Sequence, residues 1–415
     1  MICYIQNQKA KECTLNKIIT ITLNISILLL SSSLFAFENN AIQEKLNATI
    51  NDSFEKLAVP GLSVAVVLED GTSITATKGI AIMSSQVEVN ETHLFRLASM
   101  SKHLTAIMVM MLHEQGHFGL NDRVSDYVEL YNLPNKDKIT IRQLLNHSAG
   151  VYDHINGANN FFDIALAQPN KVWTSAEILS YPEQYGADFE PGTSSNYSNT
   201  GYYILGLLIE SITGQTLADA FDTLLTAPLA LNNIFVDNYS TATLPIYGLA
   251  ENNRAYEYHL SAIGAAGNFV ATPNDLALLI HNVFTQNILS ADSIAAMSSP
   301  SEQDVAYGLG TRLWTVQNVF HFGHTGTLGG YKSIMMYLPE QKMTIAITVN
   351  GYPANSADWW AFVDEIFIDV LSLGDSKVEN PIVEEPDKVA DKSSEGGSLS
   401  FSILFIMCLL IRKRI

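Results

Sequence analysis

Two residues with the right chemistry stand three apart in Phe95-Arg-Leu-Ala-Ser99-Met-Ser-Lys102. A serine hydroxyl attacks a carbonyl only when a neighbouring base takes its proton. A lysine amine kept away from water gives up its charge readily enough to be that base. On a helix beginning at Ser99, Lys102 lies one turn on and faces the same way. The serine then sits at the positive end of the helix dipole. Spacing alone decides little, because Ser-x-x-Lys arises about once by chance in a chain of this length. The chain carries its own decoy, Ser53-Phe-Glu-Lys56, on what reads as a solvated helix face. What sets Ser99 apart is the run behind it. Leu104, Ile107, Met108, Met111 and Leu112 recur at helical spacing, and Val109 and Met110 make the helix apolar nearly all round. Such a helix is buried. The plain alternative is a serine cap beside a solvated lysine.

Acyl transfer needs a second proton carrier, an oxyanion hole and groups that hold the substrate. Tyr197-Ser-Asn199 offers a tyrosine whose pKa a nearby lysine would lower, and an amide that can donate to a substrate oxygen. An overlapping Ser194-Ser-Asn196 competes, but a clear helix follows Tyr197-Ser-Asn199 directly. His324-Thr325-Gly326 stands between two predicted strands, Val319–Phe322 and Tyr331–Leu338. Gly326 would let a substrate lie along the strand edge. The backbone N–H groups of Ser99 and Thr327 are the candidate oxyanion hole. His117-Phe-Gly119 and His321-Phe-Gly323 fit the same triplet, so His324 is favoured by its setting alone.

The elements that must position these residues change character along the chain. A stripe of Ile42, Leu46, Ile50, Phe54 and Leu57 predicts a helix ended by Pro60-Gly61. Leu62–Leu68 and Ser73–Ile82 predict a hairpin around Asp70-Gly71. Short helices and turns fill roughly 121–302, with caps expected at Thr140 and Thr174 and proline in the first turn after Thr272. Strands return from Tyr307 to Asn350, and an amphipathic helix around Trp359 and Phe367 closes the body. The expected fold is α/β (α+β): an antiparallel sheet flanked by N- and C-terminal helices, with an inserted mostly helical domain. The sheet part covers 37–120 and 303–374 and the helical part 121–302.

Charge and cysteine content narrow the class. Of the net charge of −19, residues 37–374 carry −20, residues 1–36 carry +2, 375–398 carry −4 and 399–415 carry +3. A body that acidic is not a nucleic-acid binder. The three cysteines, Cys3, Cys13 and Cys408, all lie near the ends, so the body holds neither a disulfide nor a cysteine metal site. The histidines are scattered without zinc-site spacing; His147 and His154 read as loop hydrogen-bonders. No metal and no cofactor is expected.

Residues 1–36 read as a signal peptide, with lysines before an apolar run that ends at Ala36, which implies Sec-type export. Residues 375–398 read as a disordered acidic linker. Gly396-Gly-Ser398, the short apolar stretch to Ile411 and Arg412-Lys-Arg414 resemble the GlyGly-CTERM sorting tail of Gram-negative bacteria. That resemblance implies membrane contact through 399–415, cutting by a rhomboid-type sorting protease, and a periplasmic or cell-surface location.

Ser99-Met-Ser-Lys102, Tyr197-Ser-Asn199 and His324-Thr-Gly326 occur in the order found in serine β-lactamase-related hydrolases. The stretches Leu144-Leu-Asn-His-Ser-Ala-Gly150, Pro191-Gly-Thr and Gly329-Gly-Tyr-Lys also resemble that family, over roughly 40–372. It joins class C β-lactamases, D-alanyl-D-alanine carboxypeptidases, D-aminopeptidases and esterases. The resemblance implies that Ser99 is acylated and that Lys102 and Tyr197 share the proton work. It further implies that Asn199 orients the substrate, and that His324 and Thr325 contact its far carboxylate or amide. Class C β-lactamases usually carry lysine where His324 stands. A neutral imidazole holds a carboxylate less firmly than an ammonium, which points to peptidase or esterase chemistry. A small-molecule or peptide substrate is implied: a D-amino-acid peptide, a β-lactam-like amide or an ester. Two other readings are a carboxylesterase of the same fold and a penicillin-recognising protein with little turnover. Selectivity is expected from loops near 150–160, 235–260 and 300.

Overall fold

The computed structural model describes residues 40–237 and 258–374. The expected signal peptide, linker and sorting tail, and most of the 235–260 loop, lie outside those residues.

Helix α1 (40–57) buries Ile42, Leu46, Ile50 and Leu57, as its stripe predicts. Strands β1 (Gly61–Val67) and β2 (Ser73–Ile82) form the hairpin around Gly71, whose positive φ suits glycine. After the two-residue strands β3 (Val87–Glu88) and β4 (Phe95–Arg96) comes α2 (Ser101–Glu114). The central stretch supplies α3 (Ile141–Leu145), α4 (Phe161–Ala167), α5 (Ser175–Tyr185), α6 (Asn199–Thr213) and α7 (Leu217–Phe221). Thr140 and Thr174 each close a capping box, with Gln143 and Glu177. Then follow β5 (Ile234–Val236), β6 (Phe269–Ala271), α8 (Pro273–Thr285, capped by Thr272) and α9 (Ala291–Met297). The described residues end in β7 (Arg312–Val316), β8 (Val319–Leu328), β9 (Tyr331–Leu338), β10 (Met343–Val349) and α10 (Ser356–Gly374).

The main sheet has seven strands in the order β3-β2-β1-β10-β9-β8-β7, all antiparallel. Its central pair joins Leu62 to Val349 and Val67 to Thr344, so the two ends of the chain build one sheet. Period-two alternation divides the strands between two cores. Val64, Val66, Ile345 and Ile347 face α1 and α10, where Trp359, Phe362, Ile366 and Phe367 are buried. Ala65, Val67, Met335 and Ala346 face the larger core built on α2, α6 and α8.

Three local readings are corrected. Ser53 is buried, not solvated: its hydroxyl donates to Glu365 Oε2 at 2.8 Å across the α1–α10 seam. The His324-Thr-Gly326 triplet lies inside β8, not between strands, because pairing with β9 continues through Leu328; local propensity fades at the glycine, but the ladder does not. The strand-like stretch from Tyr307 becomes a strand only at Arg312. Gly310, at φ +70, turns so close to α2 that a Cβ would sit 2.2 Å from the Ala106 Cβ. A small three-stranded sheet, β4-β6-β5, and the packing of α8 across β1 and β10 are further features that sequence periodicity does not show.

Candidate active site

Ser99 stands in a single 3-10 turn, Ala98–Met100, one step before α2 rather than as its first residue. The turn is tied down from both sides. The Leu97 N–H donates to Phe269 O at 2.9 Å, and the Ser101 hydroxyl accepts from the Phe269 N–H at 3.1 Å. From the sheet, the Ser333 hydroxyl donates to Leu97 O at 3.2 Å. Ala98 is held at φ +50, a conformation an L side chain rarely adopts. Gly326 makes this close docking possible, since a Cβ there would fall 2.2 Å from Leu97 O and 2.5 Å from Ser333 Oγ. Its immediate service is thus to seat the serine turn against β8.

Lys102 is fully buried. Its Nζ lies 2.7 Å from Asn199 Oδ1, 2.8 Å from Ala266 O and 3.2 Å from Ser99 Oγ. Burial lowers its pKa from 10.5 to about 7; the nearby Asp153 carboxylate opposes that fall and the Arg312 guanidinium adds to it. A neutral amine has two hydrogens and one lone pair. The two carbonyl oxygens can only accept, so they take both hydrogens. The lone pair is left for the Ser99 hydroxyl, the longest of the three contacts and the one a base needs.

Asn199 is the first residue of α6, and Ser198 caps that helix with its hydroxyl on the Gly201 N–H. The Tyr197 ring lies with Lys102 Nζ 4.8 Å from its centroid. The sequence reading has Tyr197 acidified by the lysine. Here burial dominates and raises its pKa, so the phenol stays protonated. Of the two, Lys102 is the group that can be unprotonated near neutral pH, and Tyr197 is a neutral hydroxyl.

His324 shares this neighbourhood, its ring 6.4 Å from that of Tyr197, but it is fully buried. Thr325 O can only accept, so His324 Nδ1 carries the hydrogen and donates to it at 2.6 Å. The other nitrogen, Nε2, then accepts from the Tyr307 hydroxyl at 3.0 Å. Burial and the Arg312 charge hold its pKa well below the ordinary histidine value. Both ring nitrogens are thus engaged by the protein. The strand edge is more open, with Thr327 exposed and Thr325 half-buried. Because β7 pairs with β8 only as far as Arg312 opposite Gly323, residues 324–328 have a strand partner on one side only among the described residues.

The competing motifs fall elsewhere. Asn196 donates to Asp188 Oδ2, and Ser194 is exposed. His321, an odd number of residues from His324, points to the opposite face and packs on Phe367. His117 is exposed beyond the end of α2. His147 and His154 are loop hydrogen-bonders: His147 Nδ1 accepts from the Ser198 N–H at 3.1 Å, and His154 binds Thr200 Oγ1 and Ala262 O.

Four contributors escape motif reading. Asp153 accepts from Asn199, Tyr307 from the approach to β7 bonds His324, Ala266 O holds Lys102, and Arg312 places its guanidinium 6.0 Å from the Tyr197 centroid. The Asp153 signal was its place just after the Leu144–Gly150 stretch; the other three are single residues in stretches read only as a loop or a strand.

A buried lysine on a serine, with tyrosine and asparagine from a helix start and a strand edge alongside, is the constellation of serine acyl-transferring hydrolases. The Beta-lactamase family profile matches residues 46–366, and the chain belongs to that family. It is 29% identical over 301 residues to "Penicillin-binding protein 4*" of Bacillus subtilis, covering 65% of this chain and 64% of that one. It is 24% identical over 331 residues to a "Putative D-alanyl-D-alanine carboxypeptidase" of Escherichia coli, covering 68% and 74%. A "Probable hydrolase M10" of Phoma sp. is 24% identical over 412 residues, covering 86% of this chain. The chain spans 64% of the length of the M10 and 4* proteins. Among solved structures, the D-amino acid amidase of Ochrobactrum anthropi superposes with a TM-score of 0.69 at 25% identity, covering 81% of this chain and 99% of that one.

Proposed function

We propose that this serine hydrolase works through an acyl-enzyme at Ser99 and acts on short D-amino-acid peptides or amides. The supporting observation is the buried Lys102 amine, whose pKa is lowered to about 7 so that its unprotonated form is well populated at pH 7, 3.2 Å from Ser99 Oγ. As the serine oxygen bonds to the carbonyl carbon, its proton passes to Lys102 Nζ. The oxygen of the tetrahedral species takes its charge facing the N–H groups of Ser99 and Thr327. Collapse expels the amine, which is protonated from Lys102 through the Tyr197 hydroxyl. Water then repeats the sequence on the ester, with the same lysine as base. Asn199 acts from behind the lysine, with its Oδ1 on Lys102 Nζ and its Nδ2 on the Asp153 carboxylate.

Specificity follows from what borders the cleft. Thr325 and Thr327 line the free edge of β8, and the Arg312 guanidinium stands near it with Nε unpartnered. That combination suits a substrate carboxylate or carboxamide on the leaving-group side of the scissile carbonyl. The "D-alanyl-D-alanine carboxypeptidase" and "D-amino acid amidase" names of relatives support the same substrate class. The test is a panel on purified protein: a D-alanyl-D-alanine peptide, D-phenylalanine amide, p-nitrophenyl acetate and a chromogenic cephalosporin. Release of D-amino acid products, lost in Ser99→Ala, supports the reading. Turnover of the ester alone assigns a carboxylesterase, and a stable fluorescent-penicillin label without turnover assigns a binder.

A further inference from the structure

Asp153 is buried, acidic and outside every motif, yet it meets the one side chain that bridges to the base. Asn199 Nδ2 donates to Asp153 Oδ2 at 2.9 Å and approaches Oδ1 at 3.3 Å. The carboxylate is itself fixed by the Ile155 N–H on Oδ1 and by Asn156 Nδ2 on Oδ2, both at 2.9 Å. The loop bearing it is docked on the start of α6, with the Thr200 hydroxyl donating to Tyr152 O and accepting from the His154 N–H. A carboxylate can only accept, so it admits one orientation of the Asn199 amide: nitrogen toward Asp153, oxygen toward Lys102.

We infer that Asp153 is a positioning residue for acyl transfer: by locking the Asn199 amide it aims the lone pair of Lys102 at Ser99. With the amide reversed, Asn199 Nδ2 would face Lys102 as a donor and compete with the serine hydroxyl for the same lone pair. Asp153 also has a second, separable effect, because its charge favours protonated Lys102. The other groups that sense Lys102 are the Arg312 cation, neutral His147, His154 and His324, and the rings of Tyr197 and Tyr202. Among these charges only Asp153 opposes the loss of the lysine proton. The inference rests on Ser99 and Lys102 acting as nucleophile and base.

The test follows p-nitrophenyl acetate hydrolysis by the full chain from pH 5 to 9, for wild type, Ser99→Ala, Asp153→Asn and Asp153→Glu, with circular dichroism to verify folding. Asp153→Asn accepts either amide orientation and carries no charge. Its plateau kcat/KM should fall about ten-fold or more, while its acid limb moves down by about one pH unit, since an uncompensated lysine loses its proton sooner. A loss of packing alone would lower the plateau and leave the limb in place. Asp153→Glu keeps the charge, so its limb should stay put while its plateau falls. A wild-type plateau and limb in Asp153→Asn overturns the inference, and so does a limb in Asp153→Glu displaced as far as that expected for asparagine. The glutamate arm decides the matter if the asparagine protein does not fold. Ester turnover that persists in Ser99→Ala overturns the underlying mechanism instead, whatever Asp153 does.

Discussion

Replacing Lys102 with methionine should abolish turnover and change how stability depends on pH. The native amine titrates near 7 because it is buried, against 10.5 when solvated. At about 1.4 kcal/mol per pH unit, that difference of roughly 3.5 units makes a charged Lys102 cost the fold about 5 kcal/mol. The sign follows from proton counting. Between pH 7 and 10.5 the unfolded chain binds the proton and the native site does not, so stability rises with pH across that window. Below pH 7 both states are charged and the full cost applies; above 10.5 neither is and the cost vanishes. At pH 9 about 2 kcal/mol of it remains. Methionine removes this titration while leaving Asn199 Oδ1 and Ala266 O without a donor, a loss of roughly 1–3 kcal/mol each that is almost independent of pH. The stability of Lys102→Met minus that of wild type should therefore fall by about 3 kcal/mol from pH 6 to pH 9. Urea unfolding followed by tryptophan fluorescence at those two pH values measures it. A gap constant to within about 1 kcal/mol would refute the claim that the lysine is a desolvated base.

Four further outcomes are expected. Activity at Ser99 should rise with an apparent pKa near that of Lys102, about 7, because only the unprotonated amine accepts the serine proton; a profile flat from pH 5.5 to 8.5 contradicts it. Ser99→Ala should abolish hydrolysis, while Ser53→Ala should leave kcat/KM unchanged and cost roughly 1 kcal/mol in urea unfolding through its lost bond to Glu365. Gly326→Ala drives a methyl into Leu97 O and should reduce kcat/KM by about 100-fold through displacement of the serine turn, read in steady-state kinetics beside an unchanged far-ultraviolet spectrum. Ala98→Gly relieves the positive φ and should gain roughly 1 kcal/mol in thermal or urea unfolding.

How much of this could be read from the chain depends on distance along it. The Ser99, Tyr197 and His324 motifs were legible because each is local, and so were the sheet's two origins and the capping boxes at Thr140 and Thr174. What escaped is set by partners far away. The end of β8 is fixed by β9 pairing, the burial of Ser53 by a helix more than 300 residues on, and the placing of α8 on the sheet by tertiary packing. Tyr197 is the instructive case. Its neighbour was read correctly, but the sign of its pKa change was not, because burial is not written in a triplet and here outweighs the nearby Arg312 charge. Asp153 and Arg312 are single charged residues without periodicity, and only the folded loops show what they face.

The pairing of β1 with β10 bears on the order in which the protein can assemble. The chain has completed Ser99, Lys102 and α2 after little more than a quarter of its length, yet the sheet that covers them has strands that begin more than 200 residues later. Closing so long a loop is entropically costly and makes folding slow. Until β8 and β9 arrive, no Ser333 anchors Leu97, and until α6 and Ala266 arrive no dry pocket lowers the lysine pKa. Ser99 thus remains an ordinary hydroxyl beside an ordinary ammonium through most of the chain's synthesis, and the lowered lysine pKa exists only once the last strands are in place.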